Sequence, residues 1–483
     1  MGFTRESERT ILLGTILLAS AVSAATGFVL AQYYSFPVLN SVLYPPQDCW
    51  LGWPLNVGRH CFNDYTVTIA AGLRPNPWEP YPVLASSHYE PFRINYMAAG
   101  MAPHMVFAHL GNWLGSPRLG LFGYLFVLTI AVLSPAMWAA RGARGLERMV
   151  VFMLCGAAAV PAWFAVDRGN SVGFLVPIML VFLVALRRRQ WTLVAIMVIL
   201  AALLKPQFAV LVVALFTARQ WRLGGITVLG TVISNLAAYL LWPLDFPDTV
   251  AQSIRNVLDF GSFGMRVAGD NVSFAKALLL IPDNVKAFQA GGKIPDGFLA
   301  GPRSLIGYGI LALVALSLLA LGRRIPPVMV GIVLLATASL FPAVVYHYYL
   351  VFALPVAALV ARDPDGPPGS GIFDQLGPLG DRRRVVGICA SLAAALSIAA
   401  PIMLPGPSHL IPIAGEPGVI GLVSVTPVVD TTVILTPLLW LFACAAIIVS
   451  YLRRPIPGAW ADAHTSSALV TPTPAAVSRA DSE

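Results

Sequence analysis

An aspartate in a polar stretch near the amino end is the first residue with evident chemical potential. Asp64 lies in the run Cys61-Phe62-Asn63-Asp64-Tyr65. An ionised carboxylate can accept the proton of an incoming hydroxyl and act as a general base. The same side chain can instead cap a helix that begins at Tyr65, because aspartate is a favoured N-cap residue. Three acidic residues of the same segment are rivals for the base: Asp48, Glu79 and Glu90.

An arginine followed by Gly169 and Asn170 is a candidate to bind phosphate. Arg168 lies between two long apolar runs. A helix that begins near Asn170 would add the positive end of its dipole to an anion site. The alternative is a simple turn, bent at Gly169, with a local ion pair between Arg168 and Asp167.

Two further polar motifs are candidates, one at the junction of two apolar runs and one in a predicted external loop. His347, in Tyr346-His347-Tyr348-Tyr349, can donate to phosphate or move a proton, although tyrosines at such junctions are often interfacial anchors. Asn271 and Ser273, in Gly269-Asp270-Asn271-Val272-Ser273, either line a site or form only a capped helix start.

The cysteines and the known nucleotide motifs narrow the chemistry. Cys49 and Cys61 lie in one predicted external segment, where a disulfide and two free thiols are both open. Three others lie in apolar helices and are expected to be packing residues: Cys155, Cys389 and Cys444. No metal-ligand spacing and no GxxxxGK[ST] motif occurs. We therefore predict no metal and no cofactor, and ATP-driven transport is disfavoured.

Composition indicates which elements must position these residues. Of the 483 residues 57% are apolar and 11% are charged, whereas soluble proteins carry about 25% charged residues. The apolar runs approach the roughly 20 residues that a helix needs to cross the hydrocarbon core of a bilayer. Because lipid offers no hydrogen bonds, such segments are helices. The prediction is an all-α, polytopic transmembrane helix bundle. The net charge of +8 resides mainly at helix ends, so nucleic acid is not an expected partner.

Ten spans account for most of the apolar sequence. The first, 11–31, is read as a retained helix and not as a cleaved signal peptide. If both termini are cytoplasmic, the arginine clusters fall in short cytoplasmic loops, as the positive-inside rule requires. The predicted spans are 11–31, 119–139, 149–166, 171–186, 224–242, 304–321, 328–345, 347–361, 385–404 and 431–451.

One segment cannot be a simple span. Between the basic residues Arg189 and Arg219, two short apolar stretches are joined by Lys205-Pro206-Gln207. This pattern predicts a re-entrant pair or short helical hairpin with Lys205 near its apex, where Pro206 ends the first helix. Lys205 is costly to bury alone and can bind a lipid phosphate, or its ammonium can snorkel into water.

The remaining segments are long and lie mostly on one side. Residues 1–460 are predicted to form a single membrane domain with external loops 32–117 and 243–303. Within the first loop, the stretch Tyr96 to Leu114 is expected to be an interfacial helix. The loop from Asp363 to Asp381 reads as a flexible cytoplasmic linker, and residues 461–483 read as a disordered cytoplasmic tail.

The order of these motifs resembles a known family. From Asp64 to Arg362, an external acidic residue is followed by Arg168-Gly169-Asn170-Ser171, Leu203-Leu204-Lys205-Pro206, Asp270-Asn271-Val272-Ser273 and Tyr346-His347-Tyr348-Tyr349. This order is similar to that of family 87 of the C-type (GT-C) glycosyltransferases, which include actinobacterial mannosyl- and arabinofuranosyltransferases. Arg168-Gly169-Asn170 stands where Gly-Gln-Val-Asn is more common in that family.

The resemblance implies an enzyme of the plasma membrane whose site opens outwards. Its donor would be mannose or arabinofuranose on polyprenyl phosphate, and its acceptor a cell-envelope glycolipid or polysaccharide. Asp64 would be the base of an inverting transfer. Arg168, Lys205 and His347 would hold the donor phosphate, while Asn170, Asn271 and Ser273 would shape the sugar pocket.

Two other classes share the same features. A transporter or flippase of a lipid-linked sugar would also have apolar helices and intramembrane polar groups, but transporters often show paired broken helices and only one broken segment is evident here. An inactive assembly subunit would not need Asp64, Lys205 and His347 together.

Overall fold

The chain is described here from a computed structural model, which covers residues 7–34, 62–82, 91–260, 263–267, 271–376, 383–405, 409–414, 420–425 and 428–453. Several sequence predictions fall on residues outside these ranges. They concern Asp48, Glu90, the Cys49–Cys61 pair and the tail 461–483.

The described residues are mostly helical, as the sequence predicts. The first helices are α1 (Glu8–Tyr34), α2 (Asn63–Gly72), α3 (Ala98–Trp113), α4 (Pro117–Ala140), α5 (Gly145–Ala157), α6 (Val160–Arg168), α7 (Ser171–Arg187), α8 (Trp191–Leu204), α9 (Pro206–Thr217) and α10 (Trp221–Leu241). Short helices follow in the second predicted external loop: α11 (Asp248–Asp259), α12 (Phe263–Val267), α13 (Phe274–Leu278) and α14 (Leu280–Gln289). The rest are α15 (Ala300–Arg324), α16 (Pro327–Leu340), α17 (His347–Ala361), α18 (Ile372–Leu376), α19 (Arg384–Ile398) and α20 (Thr431–Arg453).

Helix length separates these elements into two classes. Within the described ranges, five helices are long and apolar enough to cross a membrane, namely α1, α4, α10, α15 and the Ile434–Arg453 part of α20. The pair α5 and α6 makes a sixth if it is one span, bent by 44°. Pro161 accounts for the bend, because its ring would clash with the carbonyl group of Ala157 in a continuous helix. The other predicted spans coincide with helices of 14 to 17 residues.

The short apolar helices are the most buried. Every residue of α16 from Val328 to Leu340 is buried, as is every residue of α17 from Leu350 to Ala361. Side chains on all sides of these helices contact other helices of the chain. Their mostly apolar sequences are therefore compatible with a position inside the protein as well as with contact to lipid.

The predicted hairpin at Lys205 is present as two helices. Helix α8 ends at Leu204, and Lys205 adopts an extended conformation with φ −145° and ψ 108°. A residue before proline is disfavoured in the helical region, which explains why the break lies here. A helix, α3, is likewise present in the segment predicted to be interfacial.

Short strands are the main departure from an all-α fold. Strand β1 (Tyr81–Pro82) pairs with β2 (Pro91–Phe92), β3 (Met403–Pro405) pairs with β6 (Val428–Asp430), and β4 (His409–Ala414) pairs with β5 (Ile420–Val425), all antiparallel. The last two pairs connect α19 to α20. The β-branched residues of β5 favour such pairing. The length of an apolar run alone does not predict strands this short.

Candidate functional site

Asp64 and Arg168 form a two-pronged ion pair. Arg168 Nη2 donates to Asp64 Oδ1 at 2.9 Å, and Arg168 Nε donates to Asp64 Oδ2 at 3.1 Å. Asn170 Nδ2 also donates to Asp64 Oδ2. Each side chain of the pair is 14% exposed. This parallel geometry is the strong form of an arginine–carboxylate contact, and it joins three residues that the sequence singled out separately.

Local structure aims these side chains at one another. The N-cap of α2 is Phe62, and Asp64 lies in the first turn with its carboxylate turned towards Arg168. The reading of Asp64 as a helix cap is therefore wrong. Asn170 caps α7, since its Oδ1 accepts from the Val172 amide at 2.8 Å while its Nδ2 holds Asp64. The helix start predicted near Asn170 is confirmed.

Opposing effects act on the ionisation of Asp64. Burial alone would raise the pKa of its carboxyl group, whereas the charge of Arg168, the hydrogen bonds from Arg168 and Asn170, and the charge of Lys205 lower it. The lowering effects prevail, so the pKa lies below its ordinary value of 3.8. Asp64 is therefore ionised at neutral pH, as a proton acceptor must be.

A buried pair behind the site holds the turn between Arg168 and Asn170. The Tyr124 hydroxyl donates to the Gly169 carbonyl oxygen at 2.9 Å, and His104 Nε2 lies 3.2 Å from the same oxygen. His104 is fully buried, and burial together with the charge of Lys205 lowers its pKa to about 4. His104 is thus neutral at pH 7 and positions the turn through hydrogen bonding.

Gly169 is a conformational requirement of this turn. Its φ is +64°, and a Cβ atom there would lie 2.8 Å from the Cβ of Tyr65. We expect Gly169→Ala to cost about 1–2 kcal/mol for the left-handed backbone and about 1–3 kcal/mol more for overpacking. Thermal unfolding of the purified protein measures the combined loss.

Gly145 supplies the matched control for this prediction. Its φ is +54°, and a Cβ there would meet nothing within 4 Å. Gly145→Ala should show only the backbone cost, so the difference between the two variants isolates the contact with Tyr65. Equal destabilisation by the two substitutions would contradict a tight Arg168–Asn170 turn.

Lys205 completes the charged part of the site. Its side chain is 9% exposed, and Nζ lies 3.8 Å from the centroid of the Tyr96 ring and 5.9 Å from that of Tyr349. Among the described residues, no oxygen accepts a hydrogen bond from Nζ. The ammonium lies against aromatic faces, as in a cation–π contact. A buried cation in this state is prepared to receive an anion.

Tyrosines form one side of the site. The guanidinium carbon of Arg168 lies 5.3 Å from the ring centroid of Tyr348 and 5.5 Å from that of Tyr346. With Tyr349 near Lys205, three of the four residues of the predicted Tyr346–Tyr349 motif therefore face the two cations. The motif therefore contributes to the site mainly through its tyrosines.

The other predicted site residues have different neighbours. His347 Nε2 lies 2.9 Å from Asp430 Oδ2, and its ring stacks on Phe164. Asn271 donates to the carbonyl oxygens of Arg266 and Ala343, and its Oδ1 accepts from the amides of Ser273 and Val345.

Asn271 and Ser273 stabilise backbone next to the site. Asn271 forms an antiparallel bridge with Tyr346, so its amide fixes the segment that carries the tyrosines. The hydroxyl of Ser273 caps α13 by accepting from the Lys276 amide at 3.2 Å, which is the capped helix start that the sequence offered as an alternative. Their assignment to the sugar pocket stays a prediction.

Sequence reasoning missed Tyr96, His104 and Tyr124. His104 is one of three polar residues in the mostly apolar helix α3, with His109 and Asn112, and this is the available signal. Tyr96 and Tyr124 had none, because tyrosine is common at membrane interfaces. Within the described residues, no three His, Cys, Asp or Glu side chains are placed to hold a metal ion.

Comparison of the chain with known protein families, with characterised proteins and with solved structures gives no match.

Proposed function

We propose that this chain is a membrane glycosyltransferase that moves mannose or arabinofuranose from polyprenyl phosphate to a hydroxyl of a cell-envelope glycolipid or polysaccharide. One observation carries the proposal: an ionised carboxylate, Asp64, lies near two cations, Arg168 and Lys205, and tyrosine rings form one side of the site. Such a site contains both a proton acceptor and a cradle for a phosphate leaving group.

Charge balance favours a phosphodiester as the ligand. Arg168 and Lys205 together carry two positive charges and Asp64 one negative charge, so the three groups retain one positive charge in a mostly buried site. An anion beside two cations is stabilised by charge-assisted hydrogen bonds. A sugar linked to polyprenyl phosphate carries a single negative charge, which would balance the net charge of these three groups.

The proposed reaction follows from these positions. The acceptor oxygen attacks the anomeric carbon and transfers its proton to Asp64, while the bond from that carbon to the phosphate oxygen breaks. The bonding electron pair leaves on the phosphate, where Arg168 and Lys205 stabilise the charge. A carboxylate offers about four lone-pair positions, and Arg168 and Asn170 occupy three, so one remains for the proton. Attack opposite the leaving group inverts the anomeric centre.

Helix α7 supports an outward orientation of the site. Asn170 caps its first turn, whereas Arg187 and Arg188 at its other end pair with Asp363 and Asp365. The 17 residues of α7 separate the two ends by about 25 Å. By the positive-inside rule the arginine-rich end is cytoplasmic. We propose both termini there, with ten spans in all, α8 and α9 forming the re-entrant hairpin.

Transfer of radiolabelled sugar tests this function. Membranes that contain the protein are supplied with mannosyl or arabinofuranosyl polyprenyl phosphate and a lipid acceptor, and membranes that contain Asp64→Ala at equal protein level are the comparison. Labelled product that depends on Asp64 would support the enzyme and identify the donor. If neither donor yields product but intact donor crosses the bilayer, the protein is a flippase and the proposal fails.

Lys205→Met should separate donor binding from stability. A charge-assisted hydrogen bond to phosphate contributes about 1.5–3 kcal/mol, so kcat/KM for the donor should fall about 10–100-fold. Thermal stability should be unchanged or higher, because an apolar side chain replaces a desolvated cation.

Lys205→Arg is the control, since it retains the charge and should recover part of the activity. Loss of stability in Lys205→Met without any change in KM or kcat would show that Lys205 is only a packing residue.

A further inference from the structure

A basic cleft lies at the end of the helices opposite Asp64. One part, of about 520 Å³, is lined by Arg219, Arg323, Arg324 and Trp221. A second part, of about 260 Å³, is lined by Arg189 and Trp191 and shares Arg323 with the first. The cleft therefore brings together arginines from three separate helix ends.

Two of these arginines occupy the same position in a repeated turn. Arg189-Gln190-Trp191 and Arg219-Gln220-Trp221 each connect consecutive helices. Arg189 has a φ of 56° and Arg219 a φ of 60°. In both turns the glutamine amide bonds to the carbonyl group five residues earlier, and the arginine amide to that three residues earlier. These are the two bonds of a Schellman motif.

A Schellman motif favours glycine where these arginines lie. An L-residue in the left-handed region costs about 1–2 kcal/mol, which glycine avoids. The positive-inside rule explains why an arginine lies near the helix end. It does not explain why the arginine occupies the residue with the left-handed backbone. The repeated use of arginine there indicates a role for the side chain.

The cations of the cleft also repel one another. Burial, and then the charges of Arg187 and Arg323, lowers the pKa of Arg189. Elsewhere on this face arginines have carboxylate partners, as in Arg187–Asp363 at 3.1 Å and Arg9–Glu147 at 2.8 Å. Within the part of the chain that the structure describes, neither Arg219 nor Arg323 nor Arg324 has a carboxylate within ion-pairing distance.

Apolar surface adjoins the basic cleft. Trp221 is 62% exposed, and Leu229 of α10 and Leu316 of α15 are 60% and 66% exposed. A ligand in the cleft would thus have its anionic group among arginines and its apolar part along helices that are long enough to meet lipid.

We infer that this cleft binds the phosphate of an anionic phospholipid headgroup, whose acyl chains lie along α10 and α15. Basic pockets between helices at a membrane surface are suited to such headgroups. Arg219 and Arg323 would hold the phosphate between them.

Lipid retention by the purified full-length protein tests the inference. Native mass spectrometry measures bound phosphatidylglycerol relative to phosphatidylcholine in mixed micelles of the two. One arginine near an anionic headgroup contributes about fivefold in affinity. Arg219→Gln with Arg323→Gln should therefore lower the preference for phosphatidylglycerol about 30-fold. Arg222→Gln is the control because Arg222 is exposed beside the cleft and does not line it; its effect should stay below about twofold.

Three results would overturn the inference. The first is retention of the wild-type preference by the double variant. The second is an equal loss in Arg222→Gln, which would indicate diffuse attraction only. The third is binding of inorganic phosphate as tight as that of phosphatidylglycerol, measured by calorimetric titration into lipid-free detergent-solubilised protein, which would assign the cleft to free phosphate.

Arg219→Gly distinguishes a ligand role from a folding role. It removes one cation and relieves the left-handed strain, so the unfolding temperature without added lipid should stay equal or rise. The preference for phosphatidylglycerol should nevertheless fall about fivefold. A lower unfolding temperature with unchanged lipid preference would show that Arg219 serves the turn alone.

Discussion

Asp64→Asn is expected to abolish sugar transfer when it is compared with the wild type at equal amounts of folded, inserted protein. Asparagine has nearly the same shape but cannot accept the acceptor proton. Removal of a general base typically lowers the rate about 10²–10⁴-fold. The loss should appear in kcat at saturating donor, because Arg168 and Lys205 still hold the phosphate. Initial rates from polyprenyl-phosphate donors at matched protein level measure it.

Glu79→Gln is the matched control for this experiment. Glu79 belongs to the same predicted external segment, is exposed and was a rival for the base. It should retain the wild-type rate. Full activity of Asp64→Asn together with loss in Glu79→Gln would transfer the role of base to Glu79.

The pH dependence of the transfer rate should reflect the ionisation of Asp64. Because its pKa lies below 3.8, the carboxylate stays ionised at every higher pH. The transfer rate should therefore decrease in acid only below about pH 3.8. A decrease near neutral pH would point to a different base.

Arg168→Gln is expected to destabilise the folded protein. It leaves the mostly buried Asp64 carboxylate with only the Asn170 amide and the charge of Lys205 to stabilise it. Removal of one partner from a buried ion pair costs about 3–5 kcal/mol, and the partial exposure of this pair reduces the expectation to about 2–3 kcal/mol. Thermal unfolding of the detergent-solubilised protein measures the change.

The double variant Asp64→Asn/Arg168→Gln tests the origin of this loss. With no charge left to stabilise, its destabilisation should be smaller than the sum of the two single effects. Purely additive effects would contradict the ion pair.

The stability difference should also depend on pH in one direction. The lowered pKa of Asp64 means that the pair stabilises the folded state above pH 3.8, and that this contribution is lost as pH falls through the folded pKa. The gap in stability between wild type and Arg168→Gln should therefore narrow in acid. A gap that widens in acid would exclude Asp64 as the partner that Arg168 stabilises.

Local structure was largely predictable from the sequence. Each predicted span overlaps a helix or, at 149–166, a bent pair of helices, although several of these helices are shorter than a bilayer requires. The break at Lys205 and the helix start at Asn170 were also foreseen, because Pro206 excludes a continuous helix and asparagine caps the next one. These features depend on interactions within a few residues.

Contacts within the candidate site were predictable only in part. The sequence singled out Asp64, Arg168 and Lys205 as polar groups in apolar surroundings. It offered no means of pairing Asp64 with Arg168, which lies 104 positions further along the chain. It also did not reveal that Asp430 is the partner of His347 or that Tyr96 covers Lys205.

The sequence by itself determined that the chain forms long apolar helices with arginine at their ends, because hydrocarbon requires internal backbone hydrogen bonding and excludes charge. Only the tertiary structure decided which polar groups meet. A desolvated charge can be stabilised by a carboxylate, an amide or an aromatic face alike. The packing of helices that are far apart in sequence decided which of these partners Asp64, Arg168 and Lys205 each have.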